Sequence, residues 1–228
     1  MISKNSCSYC AEMQGDVEGS FFLSEVAISL GVSKRDLLTS KSFLVFPSVG
    51  ALVPGHILIA PKRHITAMAR LMEPELTELK DLVKFLAGIL SEIYGKKIIL
   101  MEHGTLFDRC YSGACVSHAH FHLMPSEISL LDFVQFNRIK VDIDKLNREQ
   151  IKIDYLLYSD DCDSFFYSEA DSIISQYFRK EIFERMNLTG YWNWVIDQRI
   201  NEMMQTIVDI QKYLEQPDVI ETWKNLKI

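Results

Sequence analysis

Three histidines at alternate positions, His118-Ala119-His120-Phe121-His122, are the residues with the clearest chemical potential in this sequence. In a strand, side chains alternate between faces, so the three imidazoles share one face at spacings of roughly 6–7 Å while Ala119, Phe121 and Leu123 point the other way. Burying such rings without partners costs on the order of several kcal/mol, so they must be solvated, hydrogen-bonded, metal-bound or facing a ligand. The spacing leaves two functional readings open: three metal ligands, or a nucleophile with helpers. With an ordinary pKa of roughly 6.5, one imidazole is a neutral nucleophile near pH 7 and a neighbour serves as acid or base. Attack on phosphorus requires an unprotonated ring nitrogen whose partner nitrogen donates to a fixed acceptor, and an adjacent backbone carbonyl can be that acceptor.

Cys7-x-x-Cys10 is the second candidate, and on the motif alone a metal knuckle, a redox pair and coincidence all remain open. Five cysteines are an odd number in a chain long enough to fold without staples, which argues against a disulfide framework. Cys110, Cys115 and Cys162 read as free thiols. His56, following Pro54-Gly55, and the basic pair Lys62-Arg63 are further candidates for contact with an anion.

These residues need elements to hold them. Residues 43–47 and 56–60 read as short strands joined by a Gly- and Pro-bearing turn. From Pro74 to Gly95, apolar residues recur at three- and four-residue intervals (Leu76, Leu79, Leu82, Val83, Leu86, Ile89, Leu90, Ile93), which predicts one long amphipathic helix packed on the core. Ile98–Met101 and Ser117–Met124 are two more strand candidates, the second ending at Pro125. Strands flanking a single long helix predict an α+β domain with an antiparallel sheet. Beyond Pro125, residues 155–158 and 165–167 read as a hairpin, and 173–186 and 198–214 as helices. This extension is too rich in aromatic and aliphatic residues to be a solvated tail and is expected to pack on the core.

The chain has 228 residues, 48% of them hydrophobic and 24% charged, an ordinary globular composition. The formal net charge is −7, which argues against wrapping duplex nucleic acid. Residues 1–125 hold twelve Lys/Arg and twelve Asp/Glu, so the whole acidic excess sits in the C-terminal part, whereas all six histidines precede Pro125. The N-terminal residues lack the apolar core of a signal peptide, and Pro47, Gly50, Pro54, Gly55 and His56 interrupt the uncharged stretch 42–61. The expectation is a cytoplasmic protein with no membrane span.

His118–Met124 resembles the His-φ-His-φ-His-φ-φ signature of the histidine-triad (HIT) superfamily of nucleotide hydrolases and transferases. Val53-Pro-Gly-His-Ile-Leu-Ile-Ala-Pro-Lys-Arg-His64 is similar to that family's second segment, and the resemblance covers about residues 7–125. It implies an antiparallel sheet of about five strands with one long helix in a catalytic domain over residues 1–135, and a C-terminal α/β extension over 136–228. Carried over to this sequence, it makes His120 the nucleophile that takes a nucleotidyl group and His122 the residue that stabilises charge on the phosphate oxygens. It further implies a structural zinc ion on Cys7, Cys10, His64 and His118, with no cofactor required for the phosphoryl chemistry.

Candidate substrate contacts are His56, Glu102, Gly104 and Ser117, with Gln176 and Arg179 from the extension reaching over the nucleotide. Two features depart from better-known members: Gly113-Ala114-Cys115 stands where many carry Gly-Gln, and Glu102-His103-Gly104 where others carry an amide. Glu-His-Gly and the segments 175–179 and 190–194 resemble a bacterial HIT-like subgroup, in which Glu102 would meet the ribose or order His103. The resemblance implies a nucleotidyl hydrolase or transferase acting on a nucleoside di- or polyphosphate derivative. A phosphorylase using phosphate or a sugar phosphate, a nucleotide-sensing module and a metal-dependent hydrolase are the rivals. Relatives of this kind are often homodimers, although the extension is placed to cover the usual partner surface.

Overall fold

A computed structural model describes residues 7–105, 116, 118–134, 138–143, 146, 151, 153–170 and 173–226. Among them, strands β1 (Leu38–Thr39), β2 (Phe43–Pro47), β3 (Ile57–Pro61), β4 (Lys97–Gly104), β5 (Phe121–Ser126), β6 (Ile139–Val141), β7 (Tyr155–Ser159) and β8 (Phe165–Glu169) form one sheet. Its order is β1-β2-β3-β5-β4-β7-β8-β6, antiparallel throughout. The helices are α1 (Ser8–Gln14), α2 (Ile28–Leu30), α3 (Glu73–Tyr94), α4 (Tyr177–Arg185), α5 (Ile200–Leu214) and α6 (Pro217–Asn225). The fold is α+β, as the strand and helix patterns predict. No helix among the described residues is long and apolar enough to cross a membrane.

The long helix forms where its periodicity places it. Pro74 occupies the first turn, the Glu75 carboxylate accepts the Met72 N–H at 2.7 Å, and Gly95 ends the helix at φ 62° with its N–H on the Ser91 carbonyl. Leu76, Leu79, Leu82, Val83, Leu86 and Leu90 are buried against Phe43, Ile57, Ile59, Leu100, Phe121 and Leu123 of the sheet. Each such side chain stabilises the fold by about 1.5–3 kcal/mol, enough to hold β5 rigidly. The opposite sheet face has two flanks. Leu44, Phe46, Leu58 and Ala60 lie under Tyr9 and Met13 of α1, and Ile99, Met101, Met124, Leu156 and Tyr158 lie under Phe178 and Ile182 of α4.

Three expectations need correction. The sheet has eight strands among the described residues rather than about five, because β7 pairs along the outer edge of β4 from Leu100↔Ser159 to Gly104↔Tyr155 and brings β8 and β6 with it. An open sheet edge presents unpaired N–H and C=O groups, and the extension satisfies them. The extension is thus a continuation of the sheet as well as a layer upon it; the expected division at 135/136 falls outside the described residues. The histidine strand also starts later: β5 begins at Phe121, so His118 and His120 lie on the irregular run before it, and it continues through Pro125. Pairing with β3 stops at Leu123, so at Pro125 the strand has a partner on β4 alone, a position that tolerates a missing donor.

Gly104 has a steric role. A Cβ there would lie 2.2 Å from the Tyr155 ring, whereas one at Gly88, on the exposed side of α3, would meet nothing within 4 Å. Gly104→Ala is expected to destabilise the protein by about 1–3 kcal/mol through overpacking. Gly88→Ala should instead stabilise it by about 0.5–1 kcal/mol through helix propensity. Urea-unfolding midpoints moving in opposite directions for the two variants check both.

Candidate functional site

His118 lies where three structural requirements meet. Its Nε2–H donates to the Pro61 carbonyl at 2.7 Å, which leaves the Nδ1 lone pair 3.4 Å from Cys7 Sγ and 3.5 Å from Cys10 Sγ. His64 presents its own Nδ1 3.4 Å from Cys10 Sγ, and the four donor atoms all lie within 4.8 Å of one another. Cys7 is the N-cap of α1 and Cys10 lies on its first turn, so the start of this helix places both thiols. Metal bonds of about 2.3 Å to sulfur and 2.0–2.1 Å to nitrogen at tetrahedral angles put S and N about 3.5 Å apart, which matches the observed spacings. The donor set therefore suits a tetrahedral metal ion, and the Pro61 carbonyl is the outer partner that fixes the ring of His118.

His120 and His122 contribute no donor to that cluster. His120 Nδ1–H donates to the His118 carbonyl at 2.7 Å, so its Nε2 carries the lone pair. His56 Nδ1 accepts the Leu52 N–H at 3.1 Å, so its Nε2–H donates to His122 Nδ1 at 2.9 Å. His122 must then hold its own proton on Nε2. The His120 and His122 rings lie 4.8 Å apart, one with a bare Nε2 and the other with an Nε2–H, and both residues line the same cleft. Burial pushes His120 down to about 4, against the pull of its bond to the His118 carbonyl, and Arg179 lowers it further. Burial likewise holds His56 and His122 well below the usual imidazole range, with Arg179 and neighbouring histidines adding to the effect. All three rings are neutral at pH 7. The alternative of a three-histidine metal site finds no support among the described residues, because of the triad only His118 joins the metal-type cluster.

Both histidines line a partly open cleft. Its walls come from three places: Tyr9 of α1, with its ring edge-on 5.4 Å from His120; Phe21 and Trp194, packed edge-to-face at 5.0 Å; and the start of α4. Aromatic walls beside polar histidines suit a ligand with a flat ring at one end and charge at the other.

The profile of the HIT domain family matches residues 32–128. The chain carries a HIT domain. Over 120 residues it is 28% identical to the nitrilase and fragile histidine triad fusion protein NitFhit of Drosophila melanogaster, covering 52% of this chain and 25% of that protein. Over 114 residues it is 23% identical to the asymmetrical bis(5'-nucleosyl)-tetraphosphatase of Schizosaccharomyces pombe, covering 50% of this chain and 60% of that one. The chain thus spans less than two thirds of either relative. Among solved structures it is similar to a HIT family protein of Bacillus anthracis, at 18% identity and TM-score 0.40 over 53% of this chain and 73% of that one. It is also similar to a DUF4931 family protein of Bacillus cereus, at 12% identity and TM-score 0.42 over 79% and 100%.

Cys7, Cys10 and the whole of α4 lie outside the matched span, yet they complete the HIT domain's metal-type cluster and its cleft. Of the residues singled out from the sequence, His118, His120, His122, Gln176 and Arg179 line the cleft, and His56 stands behind His122. Glu102 does not line it. Its carboxylate accepts the Met68 N–H and the Tyr155 hydroxyl, each at 2.7 Å, and Gly104 packs against the same tyrosine. Ser117, like Gly113, Ala114 and Cys115, lies outside the described residues. Lys62 donates to the Ser40 carbonyl and Arg63 pairs with Glu75, so neither basic side chain points into the cleft. Sequence reasoning missed Tyr9, Arg35 and Ser175. Tyr9 was findable, because it sits between the two cysteines on a helix they anchor. Arg35 carried no local signal, since its partner Glu12 lies 23 residues away.

The metal cluster predicts that the chain takes up one Co²⁺ with the visible absorption of tetrahedral thiolate coordination. Cys10→Ser should weaken that binding by more than about 100-fold, beyond the effect typical of a lost outer partner. A second expectation concerns pH. Burial pushes the Glu102 carboxyl up to about 8 from an ordinary 4.5, against the donors from Met68 and Tyr155. A carboxyl protonated in the folded chain but ionised in the unfolded one loses stability as pH rises through 8; histidines kept neutral by folding lose it as pH falls below their unfolded value of about 6.5. Unfolding free energy should therefore rise from pH 4 to about 6.5 and fall again towards 8. Glu102→Gln should abolish the alkaline fall, whose slope is at most about 1.4 kcal/mol per pH unit, as urea titrations across the range will show.

Proposed function

We propose that this protein is a HIT-type nucleotidyl hydrolase or transferase that acts on a nucleoside di- or polyphosphate derivative through a nucleotidyl-histidine intermediate. One observation carries the reading: the His118 carbonyl holds the Nδ1 proton of His120, so a neutral ring with a bare Nε2 lines the cleft beside His122. The names of the two curated relatives, a tetraphosphatase and a fragile histidine triad fusion protein, favour the same chemistry.

In this reading His120 Nε2 attacks the α-phosphorus and an N–P bond forms while the bond to the leaving oxygen breaks, its electron pair going to the leaving group. The Nε2–H of His122 donates to a non-bridging oxygen as negative charge gathers there, and His56 keeps that donor in place through His122 Nδ1. Water, or another acceptor hydroxyl or phosphate, then attacks phosphorus, breaks the N–P bond and loses its proton. A neutral His120 is essential to the first step, since a protonated ring has no lone pair to use.

Cys7, Cys10, His64 and His118 would hold zinc, which bound there would tie the N-terminal helix to the run that orients His120. Its role is structural, because His118 offers Nδ1 to the thiols while its carbonyl serves the nucleophile. Two thiols kept reduced for a metal suit the cytoplasm, in line with the expected location.

His120→Ala should lower turnover by at least about 10³-fold while nucleotide binding stays measurable. Quenched reactions of the wild-type chain should carry a nucleoside monophosphate on the peptide spanning His118–Met124, and the added mass names the base. Tight nucleotide binding with neither adduct nor product over hours would instead make this a sensing module.

A further inference from the structure

Two arginines reach the cleft from within the protein, and they differ in one respect. Arg35 is fully compensated: Glu12 takes its Nε and Nη2 at 2.7 and 2.8 Å, and the guanidinium stacks on Phe22 and Phe46. Arg179, only 4% exposed, has no carboxylate partner among the described residues. It donates to the carbonyls of Gly50 and Trp192, and its Nη1 makes no hydrogen bond there. A buried charge without a counter-charge is costly, and a fold that keeps one beside a cleft leaves room for an anion. Arg179 lines the same cleft as His120 and His122, so its charge shares the space in which the reaction would occur.

A second feature lies beside it. Ser175 Oγ is buried with no hydrogen-bond partner among the described residues, although the residue lines the same cleft. Residues 175–179 all line it, so the first turn of the nine-residue helix α4 faces the cleft, where helix N–H groups have no intrahelical acceptor. Arg179, Ser175 and the start of α4 thus share one wall, separate from the one formed by His120 and by His122 of β5.

We propose that the start of α4, through Arg179 and Ser175, is a binding site for a phosphate of the leaving group. Resting on the nucleotidyl-transfer reading above, this selects substrates whose leaving group is itself phosphorylated, cleaved at a phosphoanhydride bond, over those that release an amine or alcohol. In the reaction, the bond between α-phosphorus and bridging oxygen breaks and the released phosphate keeps the electron pair, stabilised by the Arg179 charge. The chain's C-terminal extension would then set substrate choice, while the HIT domain supplies the nucleophile.

The test uses the full metal-loaded chain. Calorimetry with inorganic pyrophosphate should show binding to the wild type and to His120→Ala, weakened by at least about 10-fold in Arg179→Met and in Ser175→Ala, the loss of a charge-assisted or buried hydrogen bond. Kinetics should compare a dinucleoside tetraphosphate with a nucleoside 5'-phosphoramidate, which share the nucleotidyl group. Arg179→Met should lower kcat/KM at least about 30-fold more on the first than on the second, whatever loss the two share. Should Arg179→Met not fold, Arg179→Lys and Ser175→Ala carry the same comparison, with lysine keeping part of the pyrophosphate affinity. Equal losses on both substrates, or pyrophosphate affinity that is undetectable or indifferent to these residues, would overturn the proposal. Pyrophosphate binding without any His120 adduct would leave this anion site standing and instead sink the nucleotidyl-transfer reading.

Discussion

His118 makes three directional bonds at once, and the site depends on their being simultaneous. Its Nε2–H is held by the Pro61 carbonyl, its Nδ1 faces the two thiols, and its backbone carbonyl holds the proton of His120. Each bond fixes a different degree of freedom: ring tautomer, ring position and the tautomer of the neighbour. Because Pro61 ends β3 and β5 pairs with β3 from Phe121 to Leu123, the sheet register sets the distance across which these bonds form. The bare nitrogen of His120 is therefore a consequence of backbone geometry two residues away, which is more rigid than any side-chain contact could make it.

The second constraint is burial. The cleft is made by covering one face of the sheet on two flanks, α1 on one side and α4 on the other, and leaving the middle open above β5. The same covering lowers the affinity of His56, His120 and His122 for protons, since a charged ring loses more on leaving water than a neutral one. The position of His120 and its neutral state share one cause. The chain of Leu52 N–H, His56 and His122 adds order to this, because each ring's proton is assigned by the group behind it.

Glu102 shows how a residue can be noticed for one reason and matter for another. Its place beside His103 suggested a ribose contact, but β4 alternates its side chains, so Glu102 faces Met68 and Tyr155 while His103 faces the cleft. Tyr155 belongs to the strand that the extension adds to β4, and its hydroxyl also accepts the Ala69 N–H at 3.1 Å. Glu102 thereby ties the chain following His64 to both halves of the sheet. The parity of β4 was readable in advance; that Tyr155 would lie opposite Gly104 was not.

Local pattern was enough for α3, for the pairing of β2 with β3, and for the hairpin of β7 and β8, because periodicity and turn residues act over a few neighbours in the chain. It was also enough to mark the alternating His118, His120 and His122 and the Cys7-x-x-Cys10 pair as candidates, whereas joining His64 and His118 to the two cysteines rested on the resemblance to the HIT superfamily. It missed the two-residue β1 and the three-residue β6, which are too short to show alternation. Only the tertiary structure decided that β7 would take the free edge of β4, that Tyr9 would lie against His120, and that Arg179 would line the cleft with no carboxylate paired to it among the described residues. Those outcomes join residues about 55 to 130 positions apart in the chain, set by which edge is open and which face is uncovered, and neither is written in any short stretch of sequence.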